Sequence, residues 1–166
     1  MQAQKSWVFG FCILLLSGCG SKPLPRSQPS PLMNVAMPGF ESTTLNGNPL
    51  DTSAFYGKPL IVSFVSSDCP ACERTLVAAQ ATYADLHDVV IVGVFSRQDT
   101  DRAAPLVSKH QVKFPVVVDP DGVISKRYQV DDVPTTFVGD SQGRVHWVGG
   151  SNLTEDTLLA AAESVR

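Results

Sequence analysis

The chain has 166 residues, 43% hydrophobic and 17% charged, which suits one modest globular domain with something added at its ends. Its formal net charge of -3, with no basic stripe, excludes the electrostatic pattern of a nucleic-acid-binding protein. The apolar run WVFGFCILLL, residues 7–16, is too short to span a bilayer as a helix. It is typical of the core of a signal peptide.

The residues after this run indicate export and attachment to a membrane. LSGC, residues 16–19, resembles the lipobox of bacterial lipoproteins, in which Cys19 is lipidated and becomes the mature N-terminus. An ordinary cleaved signal peptide or an uncleaved anchor is the alternative. The following proline- and serine-rich residues predict a semi-extended tether, because they cannot bury a core. We therefore predict a signal peptide over residues 1–18, a lipidated tether over 19–36 and a folded domain over 37–166, facing an oxidising extracytoplasmic space.

The predicted domain opens with strands and one long helix. FESTTLNGNPL predicts a hairpin that turns at Asn46 and Gly47. PLIVSFVSS, residues 59–67, is rich in β-branched residues and predicts a strand buried on both faces. Pro70 then fits the first turn of a helix, where its missing N–H costs nothing. The cysteine pair of SSDCPACERT therefore lies at a strand-to-helix junction.

The rest of the domain continues the alternation of strands and helices, which predicts an α/β fold. DVVIVGVFS is a second buried strand, a helix follows over residues 99–110, and FPVVVD is a short edge strand. VISKRYQV predicts a short helix, and two strands then flank the turn DSQG. For the last helix, residues 154–165, Asn152 and Glu155 fit the spacing of a capping box.

Cysteine counting narrows the chemistry of the domain. Of the four cysteines, Cys12 is expected to leave with the signal peptide and Cys19 is the candidate lipidation site, so Cys69 and Cys72 remain for the domain. Two thiols cannot form a four-thiolate zinc site, and no histidine stands at a zinc-finger spacing from them, so we predict neither metal nor cofactor. A structural disulfide that closes so short a loop would stabilise the fold little, because it removes little conformational entropy from the unfolded chain. A redox-active pair is favoured.

The helix start assigns different roles to the two thiols. Cys69 is expected at the N-cap, where free N–H groups and the helix dipole lower the pKa of a thiol, so it is the predicted nucleophile. Cys72, one turn later, is expected to be more buried and to act as the resolving thiol. The carboxylate of Asp68 opposes the thiolate and should raise the pKa of Cys69, which favours a more reducing pair.

Over residues 37–166 these motifs resemble the thioredoxin superfamily, and within it the TlpA/ResA-like membrane-anchored thiol–disulfide oxidoreductases. The resemblance implies a three-layer sandwich, a mixed central sheet with helices on both faces and an extra N-terminal β-hairpin. It also identifies VDDVPTTFVGD as the cis-proline loop, with Pro134 as the cis residue. Val133 and Thr135 are then expected to bind an extended substrate polypeptide by strand addition.

The sequence departs from that family around the cysteines. Asp68 replaces the usual tryptophan, while Ser63 and Thr75 stand where relatives place a carboxylate that moves the proton of the resolving thiol. The nearest acids are Asp68 and Glu73. Asp68 is a candidate pKa modulator or proton relay, and Glu73 a candidate relay. Both are equally consistent with solvated residues at a helix N-terminus.

The family resemblance implies an enzyme that reduces disulfides of exported proteins, with cytochrome c apoprotein as one candidate substrate. Its expected partners are protein thiols and disulfides, a membrane electron donor or thioredoxin-type reductant, and the membrane itself, with the chain a monomer. The alternatives are a peroxiredoxin-like thiol peroxidase and a thioredoxin-fold copper-binding module. Peroxidases usually have threonine at the position of Ser66, and copper modules generally use a Cys-x-x-x-Cys pair.

Overall fold

The computed structural model describes residues 26–166. The predicted signal peptide and Cys19 lie outside the described residues. Within residues 26–166, the longest and most apolar helices still fall short of what a bilayer crossing requires.

Within residues 26–166, seven strands and four α-helices form one α/β unit. The strands are β1 Glu41–Thr43, β2 Pro49–Asp51, β3 Leu60–Val65, β4 Val90–Ser96, β5 Val116–Asp119, β6 Thr135–Gly139 and β7 Val145–Gly149. The helices are α1 Pro70–Asp85, α2 Thr100–Lys109, α3 Val123–Arg127 and α4 Glu155–Glu163, with a 3-10 helix at Thr52–Phe55. β1 and β2 form the predicted hairpin, whose turn places Gly47 at φ 81, a left-handed conformation that suits glycine.

The other five strands form one mixed sheet in the order β5-β4-β3-β6-β7. β3, β4 and β5 run parallel, whereas β6 is antiparallel to both β3 and β7. The carboxyl ends of β3, β4, β5 and β7 and the amino end of β6 therefore lie at one end of the sheet. We call this the redox end, because the cysteine pair follows β3.

The alternation of side chains along β3 divides the core into two layers. Ile61 and Val65 pack with residues of α1, α2 and α4, whereas Val62 and Phe64 pack with α3 and the hairpin. All six residues of β3 are buried, as expected for a central strand covered on both faces. The predicted mixed sheet with helices on both faces is confirmed.

Two local predictions were wrong. The capping box of α4 is formed by Thr154 and Thr157, not by Asn152 and Glu155, because the helix begins later and Glu155 is its first residue. The second error concerns residues 27–36, which the composition assigns to the tether. They pack along β7, because Leu32 provides a buried side chain, 7% exposed, among the prolines and serines.

Candidate redox-active site

Cys69 lies where β3 passes into α1. It is the N-cap of α1 with extended backbone (φ -124°, ψ 108°), and Pro70 is the first helical residue. The backbone N–H of Cys72 donates to Cys69 Sγ at 3.1 Å, and the N–H of Glu73 donates to the Cys69 carbonyl at 3.1 Å. Cys69 Sγ thus accepts a hydrogen bond from an N–H group of the first helical turn, which has no partner within the helix. This hydrogen bond stabilises the Cys69 thiolate once the disulfide is reduced.

The two sulfurs differ in their access to solvent. Cys69 and Cys72 are joined by a disulfide. Cys72 is wholly buried, at 0% exposure, whereas Cys69 is only partly buried. An incoming molecule can therefore meet Cys69 first, and Cys72 is placed to attack Cys69 Sγ once Cys69 carries the incoming sulfur.

The cis-proline loop lies directly against the exposed sulfur. The Val133–Pro134 bond is cis, and the Val133 carbonyl oxygen is 3.7 Å from Cys69 Sγ. The pairing of Phe64 with Thr135 holds this loop beside the end of β3, and the Thr135 hydroxyl donates to the Asp132 carbonyl at 2.8 Å. The structure therefore brings Val133, Pro134 and Thr135 to the cysteine pair, and their roles in substrate binding stay predictions.

Asp68 is held by two side chains that the sequence did not single out. Its carboxylate forms an ion pair with Arg102 in α2 and lies 3.5 Å from the side-chain amide nitrogen of Gln98. Gln98 also accepts from the Ser67 N–H at 2.8 Å and donates to the Ser67 hydroxyl at 3.0 Å. Because β3 and β4 are parallel, the residues that follow them meet at one end of the sheet. This topology could have indicated that Gln98 and Arg102 lie near Asp68.

Glu73 points to α2 and its C-terminal cap. Its carboxylate lies 2.6 Å from Lys109 Nζ and 2.7 Å from His110 Nε2. The hydrogen bond from Lys109, and next the one from His110, hold the pKa of Glu73 below its ordinary value. A carboxylate with a depressed pKa and hydrogen bonds from two side chains is a weak proton acceptor, so this arrangement disfavours a proton relay through Glu73.

Glu73→Gln is accordingly expected to leave disulfide reduction unchanged and to lower thermal stability modestly at pH 7. A depressed folded-state pKa stabilises the fold above the unfolded pKa of about 4.3, and this contribution is lost as pH falls through the folded value. Melting curves of both proteins should therefore differ more at pH 7 than at about pH 3. Loss of disulfide reduction in Glu73→Gln would instead assign Glu73 to proton transfer.

Hydroxyl side chains stand at the two positions where relatives place a carboxylate, and a further hydroxyl lies near Cys72. The hydroxyls of Ser63 and Thr136 are hydrogen-bonded at 3.1 Å, and Ser66 Oγ lies 4.0 Å from Cys72 Sγ. Thr75 is 1% exposed, and its hydroxyl has no hydrogen-bond partner within residues 26–166. A hydroxyl group thus lies at the edge of hydrogen-bonding distance from the resolving sulfur.

A helix-capping cysteine disulfide beside a cis-proline loop, on a mixed sheet covered by helices, defines a thioredoxin-like redox protein. The AhpC/TSA family profile matches residues 33–148. The chain belongs to this family.

The chain is also similar in sequence to two bacterial proteins. The chain is 35% identical over 91 residues to the soluble secreted antigen MPT53 of Mycobacterium tuberculosis, covering 55% of this chain and 53% of that protein. It is 31% identical over 110 residues to the thiol-disulfide oxidoreductase ResA of Bacillus thuringiensis, covering 65% of this chain and 64% of ResA. The chain thus spans about half to just under two thirds of these relatives.

A solved structure is similar over more of its length. The crystal structure of a secreted Mycobacterium tuberculosis disulfide oxidoreductase homologous to E. coli DsbE superposes with a TM-score of 0.71 at 28% identity. It covers 75% of this chain and 95% of that structure. The resemblance to thioredoxin-fold thiol–disulfide oxidoreductases is therefore confirmed.

Proposed function

We propose that this chain is an extracytoplasmic thiol–disulfide oxidoreductase that reduces disulfides of exported proteins. The observation that carries the proposal is the asymmetry of the pair. Cys69 is partly exposed at a helix N-terminus, and Cys72 is wholly buried beneath it. A disulfide that served only to stabilise the fold would not need one reactive and one shielded sulfur.

The reaction is two successive thiol–disulfide exchanges. The Cys69 thiolate attacks a substrate disulfide, the substrate S–S bond breaks, and its leaving thiolate takes up a proton. The Cys72 thiol then loses its proton and attacks Cys69 Sγ, which releases the second substrate thiol. The substrate gains two electrons and the Cys69–Cys72 pair is oxidised, so a membrane electron donor or a thioredoxin-type protein must reduce it again.

The cis-proline loop supports a polypeptide substrate. The Val133 carbonyl lies 3.7 Å from Cys69 Sγ, so an extended chain that pairs with the loop would hold its own cysteine at the attacking sulfur. Thr135, the first residue of β6, would lie beside the same chain.

We also propose that the chain is a monomeric lipoprotein of the bacterial cell envelope, anchored through Cys19. The lipobox-like LSGC supports the anchor, and the names of secreted relatives support an extracytoplasmic location. Apoproteins in cytochrome c maturation are one candidate substrate class, by analogy with the family.

Reduction of insulin with dithiothreitol as electron source tests the activity, and consumption of hydrogen peroxide tests the peroxidase alternative. We expect rapid insulin reduction and slow peroxide turnover, because the Ser66 hydroxyl, at the position of the peroxidase threonine, lies 4.0 Å from the resolving sulfur of Cys72. Stoichiometric copper binding by the reduced protein would favour a binding module. Insulin reduction no faster than with dithiothreitol alone would contradict the proposed function.

A further inference from the structure

The resolving thiol must lose a proton that it cannot give to solvent directly. Cys72 attacks as a thiolate, so its S–H proton leaves before or during the second exchange. Its side chain is 0% exposed and packs in the core layer that contains Leu76. Burial in an apolar layer opposes the charged form of a thiol. A side chain that links this sulfur to solvent would therefore speed the second exchange.

The two carboxylates nearest to the cysteines in the sequence already bind cations. Asp68 forms an ion pair with Arg102. Glu73 forms one with Lys109, which also belongs to α2. A carboxylate that accepts hydrogen bonds from a cation is a weak acceptor for the proton of a thiol. The proton of Cys72 is therefore better passed to a group other than these two carboxylates.

Two hydroxyls at the positions of the missing carboxylates are enclosed in the core. Ser63 is 0% exposed, and its hydroxyl shares a hydrogen bond of 3.1 Å with that of Thr136. Thr75 is 1% exposed, and its hydroxyl has no hydrogen-bond partner within residues 26–166. Because neither side chain reaches the surface, neither can hand a proton from Cys72 directly to solvent.

Ser66 combines a contact with the resolving sulfur and access to solvent. Its Oγ lies 4.0 Å from Cys72 Sγ, at the long limit of a hydrogen bond to sulfur, and the residue is partly exposed. It directly follows β3, so the backbone of a buried central strand fixes its place. A hydroxyl both donates and accepts, so it can take one proton from a thiol while it gives another to water.

We propose that Ser66 is a catalytic residue of the second exchange, and that its hydroxyl carries the proton of Cys72 to solvent in place of a carboxylate. As Cys72 Sγ attacks Cys69 Sγ, the Cys72 S–H bond breaks and an O–H bond forms at Ser66 Oγ. The former hydroxyl proton of Ser66 passes to a solvent water. The S–S bond between Cys69 and the substrate breaks, and its electron pair leaves with the substrate thiolate, which takes up a proton from solvent.

This role rests on the dithiol chemistry of the proposed function, and its test follows the two exchanges separately. The reduced full chain is mixed with an equal amount of dithiobis(nitrobenzoate), a small disulfide that releases a coloured thiolate. Attack by Cys69 releases the first thiolate and attack by Cys72 releases the second, so stopped-flow absorbance shows two phases. The leaving thiolate of this probe stays ionised at neutral pH, so the second phase reports the loss of the Cys72 proton.

The matched variants are Ser66→Thr, which keeps the hydroxyl, and Ser66→Val, which has the same shape without it. Valine also fills the space that a smaller residue would leave open to water. At pH 7 the second phase of Ser66→Val is expected to be about a hundredfold slower than that of Ser66→Thr, the lower end of the effect of a positioned proton-transfer group. The first phase should be equal in both, because it needs Cys69 alone.

The pH dependence separates proton transfer from a displaced sulfur. The difference between the two variants should shrink as pH rises to about 10, above the ordinary pKa of a thiol, because the Cys72 thiolate then forms without a relay. A difference that stays constant with pH, or equal second phases, would overturn the role of Ser66. A slow second phase in Thr75→Val, with none in Ser66→Val, would overturn it in favour of Thr75.

These outcomes are distinct from failure of the proposed function. Each of them leaves insulin reduction by the unmodified protein as a separate measurement. Absence of the first phase in the unmodified protein would instead contradict a reactive Cys69, and with it both the proposed function and the role of Ser66.

Discussion

Cys72→Ser is expected to stop turnover and to leave the substrate bound to Cys69 through a mixed disulfide. The first exchange needs only the exposed sulfur of Cys69, whereas the second needs the thiol of Cys72. The backbone nitrogen of Cys72 lies 3.1 Å from Cys69 Sγ, so the two residues are held together. Replacing an intramolecular attack by attack from a dilute external thiol should cost about a hundredfold or more in rate. The adduct is measured as a gel shift that reducing agent reverses.

Cys69→Ser is the matched control, since it keeps one thiol in the same turn of α1. Because Cys72 is 0% exposed, this variant should form almost no adduct. Mixed disulfide formation on Cys72 as fast as on Cys69 would reverse the assigned roles. The same Cys72→Ser protein, incubated with envelope extract, captures substrates for identification.

The backbone around the pair could be predicted because its signals are local. The continuous apolar run of β3 and Pro70 at the first helical position fix the strand-to-helix junction within a few residues of Cys69. The cis-proline loop followed from the family resemblance, and the pairing of β3 with β6 places it. The strand-to-helix junction and the cis-proline loop each depend on a short stretch of sequence with strong backbone preferences.

The contacts around Asp68 and Glu73 could not be predicted in the same way. Arg102 and Lys109 are separated from their partners by 34 and 36 residues, so these ion pairs depend on how α2 packs beside the start of α1. The packing of residues 27–36 was missed for a related reason. The composition of residues 27–36 is typical of a tether, but the burial of Leu32 and the backbone hydrogen bonds to β7 hold these residues against the edge of the sheet.

The ion pair with Arg102 changes what Asp68 does to the nucleophile. Alone, a carboxylate next to Cys69 would oppose the thiolate. Paired with a guanidinium, it contributes a dipole whose two charges partly cancel at the sulfur. Both side chains are more than half exposed, so the pair contributes little to the stability of the fold. Its influence should be found in the thiol chemistry instead.

We therefore expect Asp68→Asn and Arg102→Gln to shift the pair in opposite directions. Asp68→Asn leaves the Arg102 cation unopposed, which lowers the pKa of Cys69 and raises the reduction potential. Arg102→Gln leaves the carboxylate unopposed and does the reverse. Each change should alter the acid dissociation constant of the Cys69 thiol about fivefold, which corresponds to the roughly 1 kcal/mol that one unit charge exerts at close range in water. The double variant should return close to the original protein.

Two measurements separate this charge effect from a structural one. The pH dependence of Cys69 alkylation by iodoacetamide gives the thiolate pKa, and equilibration with glutathione gives the potential. The shift in the Cys69 pKa should also become smaller as salt is raised from 0.05 to 0.5 M, because salt screens exposed charges. The decrease should follow roughly the fall in the Debye length. If both single variants shift the potential in the same direction, the two side chains act by holding the loop of Ser67 and Gln98 and not through their charges. In that case the double variant would be no closer to the original protein than either single one.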